Sequence, residues 1–369
     1  MFKKSLRVSC AAAAALGAVG AVGTRSALAA VPMPTVGGKI FADLSYLDEK
    51  ENDTKIAPSG TGVDVQRFYL IFNEKFDDMW SANITTDASY SSGGGAVDVF
   101  IKKAYVQYSL PNSKALWARL GSADLPWVPF VEDLYGYRYV EHVITDRLHF
   151  GTSADWGLHG GGQFDRASYA VSVVNGSGYK NPTRSKSMDV EARVAYQPID
   201  GLTVAVGGYS GKLGKDNYAT ASTGTLTPTY HTADRFDALV AYVGNGARAG
   251  AEYFSANDWN NVTTTTSDKA DGYSIWGSYD FTSQLGAFAR WDQAKTSKDL
   301  DPSLKDEYFN VGLATHPAKG VDVSLVYKHE KMDGGFINTA YTGFSKTLGT
   351  APMNKGEVNE VGVFAQVAF

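Results

Sequence analysis

Cysteine is almost absent from this chain of 369 residues, and the single one, Cys10, lies near the N-terminus. A basic start is followed by an Ala-, Gly- and Val-rich run that ends at the small-x-small sequence Ala27-Leu28-Ala29. This pattern predicts a cleaved signal peptide over residues 1–29. The remaining chain then has no cysteine, which excludes disulfides, thiolate metal sites and cysteine nucleophiles.

Long hydrophobic runs are also lacking after residue 30. None approaches the roughly 18 apolar residues that a membrane-spanning helix needs. Basic residues are fewer than acidic ones, and the net charge is -5. Loss of the four basic residues in 1–29 would change it to -9. This balance disfavours a nucleic-acid partner. No linker or change in composition divides residues 30–369, so the sequence predicts a single domain there.

Patterns typical of catalysis or cofactor binding are weak. The six histidines do not show metal-ligand spacing such as HExxH. Ser153 and His159 lack a placed acid, and the glycines of GSGYKN are not followed by a helix that could cradle a phosphate. We therefore expect no enzyme, no cofactor and no metal site. An outer-membrane phospholipase or protease remains an alternative.

What the chain does contain is a period-two alternation of apolar and polar residues, repeated from Gly38 to the C-terminus. In MDVEARVAYQ, for example, Asp189, Glu191 and Arg193 share one face, while Val190 lies on the other. This alternation predicts β-strands. Short turns alternate with long polar loops, such as 212–233 and 331–356, and about sixteen strands of about 9 to 11 residues fit the length.

The charged face of these strands separates two all-β architectures. A soluble sandwich, which would fit a secreted protein, buries one apolar face. A large membrane barrel instead turns its apolar face to lipid and its charged face to a wet interior, and barrels of about 16 strands leave an aqueous passage. The sequence thus favours a transmembrane antiparallel β-barrel, with a soluble β-protein as the alternative.

One connection differs from the others. Residues 122–152, within GSADLPWVPFVEDLYGYRYVEHVITDRLHFGTSADWG, are too long for a tight turn and are rich in charged and aromatic side chains. Connections of this length without strong structure of their own are usually functional. We expect this segment to fold into the barrel and to narrow it as a constriction loop.

The chain also resembles a known family. The resemblance rests on KIFADLSYL, VQRFYLIFNEKFDDMWSANI, KKAYVQYSLPNSKALWARLGSADLPW, LYGYRYVE, TDRLHFGTSADWG and the terminal Phe369. These resemble the Gram-negative outer-membrane porins of the phosphate-selective O and P type. The resemblance implies a sixteen-stranded barrel, usually trimeric, whose third loop folds inward. The implied surroundings are the outer membrane, with its lipid bilayer and lipopolysaccharide.

The predicted function is passive diffusion of small hydrophilic solutes and ions, with a mild anion preference set by the charges that line the pore. Charges on the wall and on the inserted loop would oppose each other and create a transverse field. A phosphate- or oligoanion-selective porin and a surface-binding adhesin or receptor barrel are the alternatives. Strand parity and the inserted loop give these candidate pore-lining residues: Arg67, Lys103, Arg119, Glu132, Asp133, Arg138, Glu141, Asp146, Arg147 and Arg193.

Overall fold

The barrel wall is one antiparallel sheet. The structure, a computed structural model, describes residues 33–56, 59–90, 97–217, 228–335 and 353–369. The predicted signal peptide and parts of the predicted loops 212–233 and 331–356 lie outside these residues. The strands are β1 (Thr35–Glu51), β2 (Thr54–Lys55), β3 (Gly60–Lys75), β4 (Trp80–Tyr90), β5 (Val97–Ser109), β6 (Trp117–Asp124), β7 (Ala154–Phe164), β8 (Ala167–Val174), β9 (Asp189–Ile199), β10 (Leu202–Gly211), β11 (Ala233–Gly244), β12 (Ala247–Asn257), β13 (Lys269–Asp280), β14 (Leu285–Lys295), β15 (Lys305–Ala318), β16 (Val321–Gly335) and β17 (Met353–Ala368).

The sheet closes on itself. Each long strand pairs with its neighbours in the chain, and β1 also pairs with β17, from Lys39↔Ala368 to Glu51↔Gly356. Because β2 has only two residues, the wall consists of sixteen long strands. Because the described sheet closes, its edge strands are paired with each other. A barrel in lipid requires this closure. The predicted fold class, an all-β antiparallel barrel of about sixteen strands, is confirmed.

The two faces of the wall differ in chemistry as the alternation predicts. On β15 the outward residues Phe309, Val311 and Leu313 are exposed, whereas the inward Tyr308 and Asn310 are fully buried. Successive side chains of a strand point to opposite faces. The outward face therefore offers apolar surface to lipid, and polar side chains collect inside the barrel.

Some strands are longer than the sequence predicted. The sequence predicts strands of about 9 to 11 residues, but β1 spans 17 residues to Glu51 and β3 spans 16 residues from Gly60. The added residues include charged side chains such as Lys50. A strand ladder is held by backbone hydrogen bonds, so its polar ends give no hydrophobic alternation to detect.

Register shifts occur in four strand pairs of the described wall, and two of them bring an additional side chain to its inner face. The β1–β3 register shifts beside Gln66, and the β4–β5 register shifts beside Lys102. A bulge places two residues of one strand opposite one residue of its partner. As a result, Gln66 and its neighbour Arg67 are both buried on the inner side, and Lys102 is directed inward next to Lys103.

Residues 125–153, here the inserted segment, connect β6 to β7 and contain the helices α1 (Val128–Tyr135) and α2 (Ile144–Arg147). Pro129 stands in the first turn of α1, where its missing N–H costs no helical hydrogen bond. Gly136 ends α1 with a left-handed φ of 84°, and its N–H bonds the Glu132 carbonyl. Among the described residues, no helix has the length and apolarity to cross a membrane.

Candidate constriction site

An apolar cluster fixes one side of the inserted segment to the inner wall. Trp127, Val131 and Tyr135 are at most 1% exposed. The Tyr135 ring meets the Trp276 ring of β13 edge to face, with centroids 5.8 Å apart. Burial of aromatic side chains makes a large contribution to packing. This side of the segment therefore belongs to the core and does not line a water-filled space.

Hydrogen bonds to charged wall residues fix the same side. The backbone N–H of Trp127 donates to Glu191 of β9 at 2.8 Å, and its indole N–H donates to Glu252 of β12, also at 2.8 Å. The Arg235 guanidinium of β11 donates to the Phe150 carbonyl at 2.5 Å. Glu191, Glu252 and Arg235 thus each have a hydrogen-bond partner in the segment itself.

Arg147 of α2 is the most enclosed of the predicted pore-lining residues. Its side chain is 3% exposed and forms ion pairs with Asp292 at 3.2 Å, Asp306 at 2.5 Å and Glu330 at 2.5 Å. These carboxylates stand on three successive strands, β14 to β16. Such contacts are those of an anchor, because a guanidinium surrounded in this way has no surface left for a passing solute.

Glu141 is a second anchor. It is 4% exposed, and its carboxylate lies 3.6 Å from the Lys328 ammonium of β16. Burial opposes its ionisation, but Lys328 and His142 together hold the pKa of Glu141 well below its usual range. The carboxylate is therefore charged and bound to the wall at neutral pH.

The opposite face of the segment carries charge toward β3–β6. Glu132 pairs with Arg138, and Asp133 is exposed. Asp146 lies 3.7 Å from His142. Lys102 of β5 is near enough to act on the charges of both Glu132 and Asp146. This face is therefore the one turned toward the cationic wall, and we call the region between the two the gap.

His142 bridges the two sides of that gap. Burial and the nearby Arg138 guanidinium lower the pKa of His142 to about 4, so the imidazole is neutral at pH 7. Its Nε2 lies 3.2 Å from Arg67 Nη2, and its Nδ1 lies 3.3 Å from a Glu141 carboxylate oxygen. A neutral ring that accepts from Arg67 and donates to Glu141 fits both contacts.

The wall side of the gap is basic. Arg67 pairs with Asp87 at 2.8 Å, and Lys103 pairs with Asp124 at 2.6 Å. Arg119 has no carboxylate oxygen within 4.0 Å among the described residues.

Aromatic rings and a carbonyl hold the remaining two predicted arginines of the wall. The Arg119 guanidinium lies 4.4 Å from the Trp117 ring centre and donates to the Gln107 amide oxygen. Arg193 donates to the Pro126 carbonyl at 3.0 Å and stacks on Phe130 of the segment, 3.7 Å from the ring centre. Each guanidinium is thus held in position, and no carboxylate of the described residues pairs with it.

The structure therefore divides the ten predicted residues. Seven lie on the two sides of the gap: Arg67, Lys103 and Arg119 on the wall, and Glu132, Asp133, Arg138 and Asp146 on the segment. Arg193 of β9 holds the segment at Pro126 and Phe130, while Arg147 and Glu141 are enclosed in the anchored side. The pore-lining role of each stays a prediction. Sequence reasoning missed Lys102, because the bulge reverses its parity, and Arg235, which parity along RFDALVAY could have found.

Comparisons with known proteins agree on the architecture. No protein-family model matches the sequence, and no curated protein matches it. Solved structures do match, and each match covers 91% of this chain. An anion-selective porin from Comamonas acidovorans has a TM-score of 0.64 at 13% identity, with 99% of its own chain covered. The outer membrane channel DcaP of Acinetobacter baumannii has a TM-score of 0.61 at 14% identity with 97% of its chain covered, and the trimer form of OmpT, an outer membrane protein of Vibrio cholerae, has a TM-score of 0.60 at 14% identity with 100% of its chain covered. The chain has the fold of the outer-membrane porins.

Proposed function

We propose that this protein is a porin of the Gram-negative outer membrane, through which small hydrophilic solutes and ions diffuse passively. The observation that carries the proposal is the asymmetry of the inserted segment. One side is anchored to β9–β17, and the other faces a basic wall across a gap inside a closed sixteen-stranded barrel. A segment fixed in this way narrows the interior without needing to move.

The charges across the gap support a mild anion preference. Opposed charges create a transverse field, which favours small dipolar solutes. On the segment, Glu132 is paired with Arg138, which reduces its field. On the wall, neither Lys102 nor Arg119 has a carboxylate oxygen within 4.0 Å among the described residues. On the segment, Asp133 and Asp146 likewise have no Lys or Arg nitrogen within 4.0 Å among the described residues, so unpaired charges of both signs meet at the gap and the anion preference is at most mild.

The proposal includes the membrane surroundings and the assembly state of the barrel. The exposed apolar side chains form a band around the wall, which suits a lipid bilayer with lipopolysaccharide in its outer leaflet. A homotrimer is part of the proposal, supported by the trimer form of the OmpT structure with the same fold. The protein would act as a channel, not as an enzyme.

Single-channel recording in planar bilayers under a KCl gradient tests the function. We expect ohmic steps in three equal levels and a reversal potential of the sign that indicates anion preference. Adding phosphate on one side tests the finer hypothesis of a phosphate-selective porin, which requires block of the chloride current. Well-folded protein without conductance would contradict the proposal and favour a surface-binding barrel.

A further inference from the structure

Three cations meet three aromatic rings at one end of the gap. Arg67 and Tyr69 come from β3, Phe100 and Lys102 from β5, and Tyr179 and Lys180 from the β8–β9 connection. We call these six residues the aromatic cation site. Within it, the Phe100 and Tyr179 rings are stacked, with centroids 5.9 Å apart.

Lys102 is the central cation of this site. It is 8% exposed, and its ammonium lies 4.9 Å from the centre of the Tyr69 ring and 5.6 Å from that of Tyr179. Among the described residues, its hydrogen bond goes to the Tyr69 hydroxyl at 3.3 Å, and no carboxylate pairs with it. An ammonium has three N–H donors. Two of them have no acceptor in the described part of the protein.

The neighbouring Arg67 adds one further unsatisfied donor. Arg67 is 8% exposed, and its Nε–H has no acceptor among the described residues, although both terminal nitrogens have partners. Lys180 stands over the Phe100 ring, with its ammonium 4.6 Å from the centre. Burial and the nearby Arg67 lower the pKa of Lys180. Asp87 and Asp146 both lie close enough to act on the charges of these cations, so the site combines three cations with two carboxylates.

Buried N–H donors cost free energy unless a hydrogen-bond acceptor binds them. A free inorganic anion could use the N–H groups, but it would leave the rings unused. Phe100 and Tyr179 are only partly buried, so a planar apolar group can reach them. Stacking on such rings adds affinity beyond that of the charge contact.

We propose that the aromatic cation site binds organic anions in which a carboxylate is joined to an aromatic ring, so that the channel has a selective subsite for aryl carboxylates. The carboxylate accepts hydrogen bonds from Lys102 and Arg67, and the ring packs beside Phe100 and Tyr179. The inference rests on the proposed channel function for its transport role, but binding itself does not depend on conduction.

Two measurements with benzoate test the proposal. In bilayers, benzoate should reduce the chloride current at a lower concentration than acetate or inorganic phosphate does. By calorimetry on the detergent-solubilised full-length protein, benzoate should bind more tightly than acetate. The second measurement works even if no channel opens.

Two lysine variants form a matched pair. K102M should weaken benzoate block and binding about tenfold, the loss expected for one charge-assisted contact. K103M removes the same charge from the adjacent position, but Lys103 already pairs with Asp124. The K103M variant should therefore alter the ion preference and keep the benzoate affinity of the wild type. F100L should reduce the advantage of benzoate over acetate, and it replaces K102M if that variant does not fold.

Each outcome decides the proposal. Equal binding of benzoate, acetate and phosphate would overturn the ring specificity, and equal losses in K102M and K103M would reduce the site to a general field effect. Conductance without benzoate binding overturns the subsite and leaves the porin function standing. Benzoate binding that depends on Lys102, without any conductance, supports the subsite and overturns the porin function.

Discussion

At the scale of single residues, similar arginines in this barrel have different surroundings. Arg147 is enclosed by three carboxylates, whereas Arg119 lies on aromatic rings at the gap. A buried charge that loses its partners costs far more than an exposed one. Surroundings, not residue type, therefore determine which arginines hold the structure and which are available to a solute.

Replacing Arg147 by Met should destabilise the folded barrel by about 3–5 kcal/mol, because three buried carboxylates lose their shared cation. We expect a lower temperature for the heat-induced mobility shift of the barrel on gels. R166M is the control, because Arg166 pairs with the 98% exposed side chain of Asp200 and its loss should cost less than about 1 kcal/mol. Equal transition temperatures for R147M and the wild type would show that Arg147 is no anchor.

At the scale of elements, the inserted segment differs from the strands of the wall, because strand alternation does not determine its structure. Its core residues pack on β9–β17, and its helices are short. In isolation, helices of eight and four residues are too short to be stable. Their order therefore derives from the wall around them, through the apolar clusters and the anchors at Glu141 and Arg147.

Replacing residues 128–150 with a Gly- and Ser-rich linker should raise the single-channel conductance and weaken ion selectivity. The strand ladder closes through β1 and β17, so the barrel should still form, although at lower stability. Conductance of the linker variant in planar bilayers is the measurement. An unchanged conductance would mean that the segment does not set the narrowest point.

Acid should weaken the hold on the segment through His142. Its pKa is about 4 in the folded protein, below the ordinary 6.5, so the unfolded chain takes up the proton first as the pH falls. The contribution of neutral His142 to the free energy of unfolding is therefore complete above pH 6.5 and is lost as the pH falls from 6.5 through 4. The loss is at most about 3 kcal/mol. The facing charges are Arg67, Arg138, Glu141 and Asp146.

The check on His142 is a comparison of stability with H142N between pH 7 and pH 4. The wild type should lose more stability over this interval than the variant. Glu141 and Asp146, whose pKa values are also lowered, are present in both proteins and therefore contribute to both curves. Parallel curves for the two proteins would contradict the assignment.

At the scale of the whole molecule, the net charge of the chain is negative, whereas the wall at the gap carries unpaired cations. The full chain carries -5 at pH 7, yet Lys102 and Arg119 at the gap have no paired carboxylate in the part of the chain that the structure describes. A passing ion responds mainly to charges within a Debye length, which is about 10 Å at 0.1 M salt. The ion preference should therefore follow the gap and not the net charge.

The anion preference should consequently decrease as salt rises. The Debye length falls from about 10 Å at 0.1 M to about 3 Å at 1 M, which screens the wall cations from the centre of the gap. Reversal potentials measured at a fixed KCl ratio but rising mean concentration test this. A preference that does not change with salt would favour a binding site inside the passage over a field as its origin.

The sequence by itself determined the wall. Away from the bulges on β3 and β5, the period-two alternation fixes which face of each strand meets lipid, since every second side chain points the same way. The charged inner face of MDVEARVAYQ already required a wet interior. It also indicated that residues 122–152 differ from every other connection.

Only the tertiary structure decided how the inner charges are used. Whether Arg147 faces water or three carboxylates depends on β14, β15 and β16, which are between 145 and 183 residues away in the chain. The inward position of Lys102 depends on a bulge that is set by its pairing with β4. Contacts between distant segments leave no periodic signal in the sequence, because they arise from the register of the closed barrel.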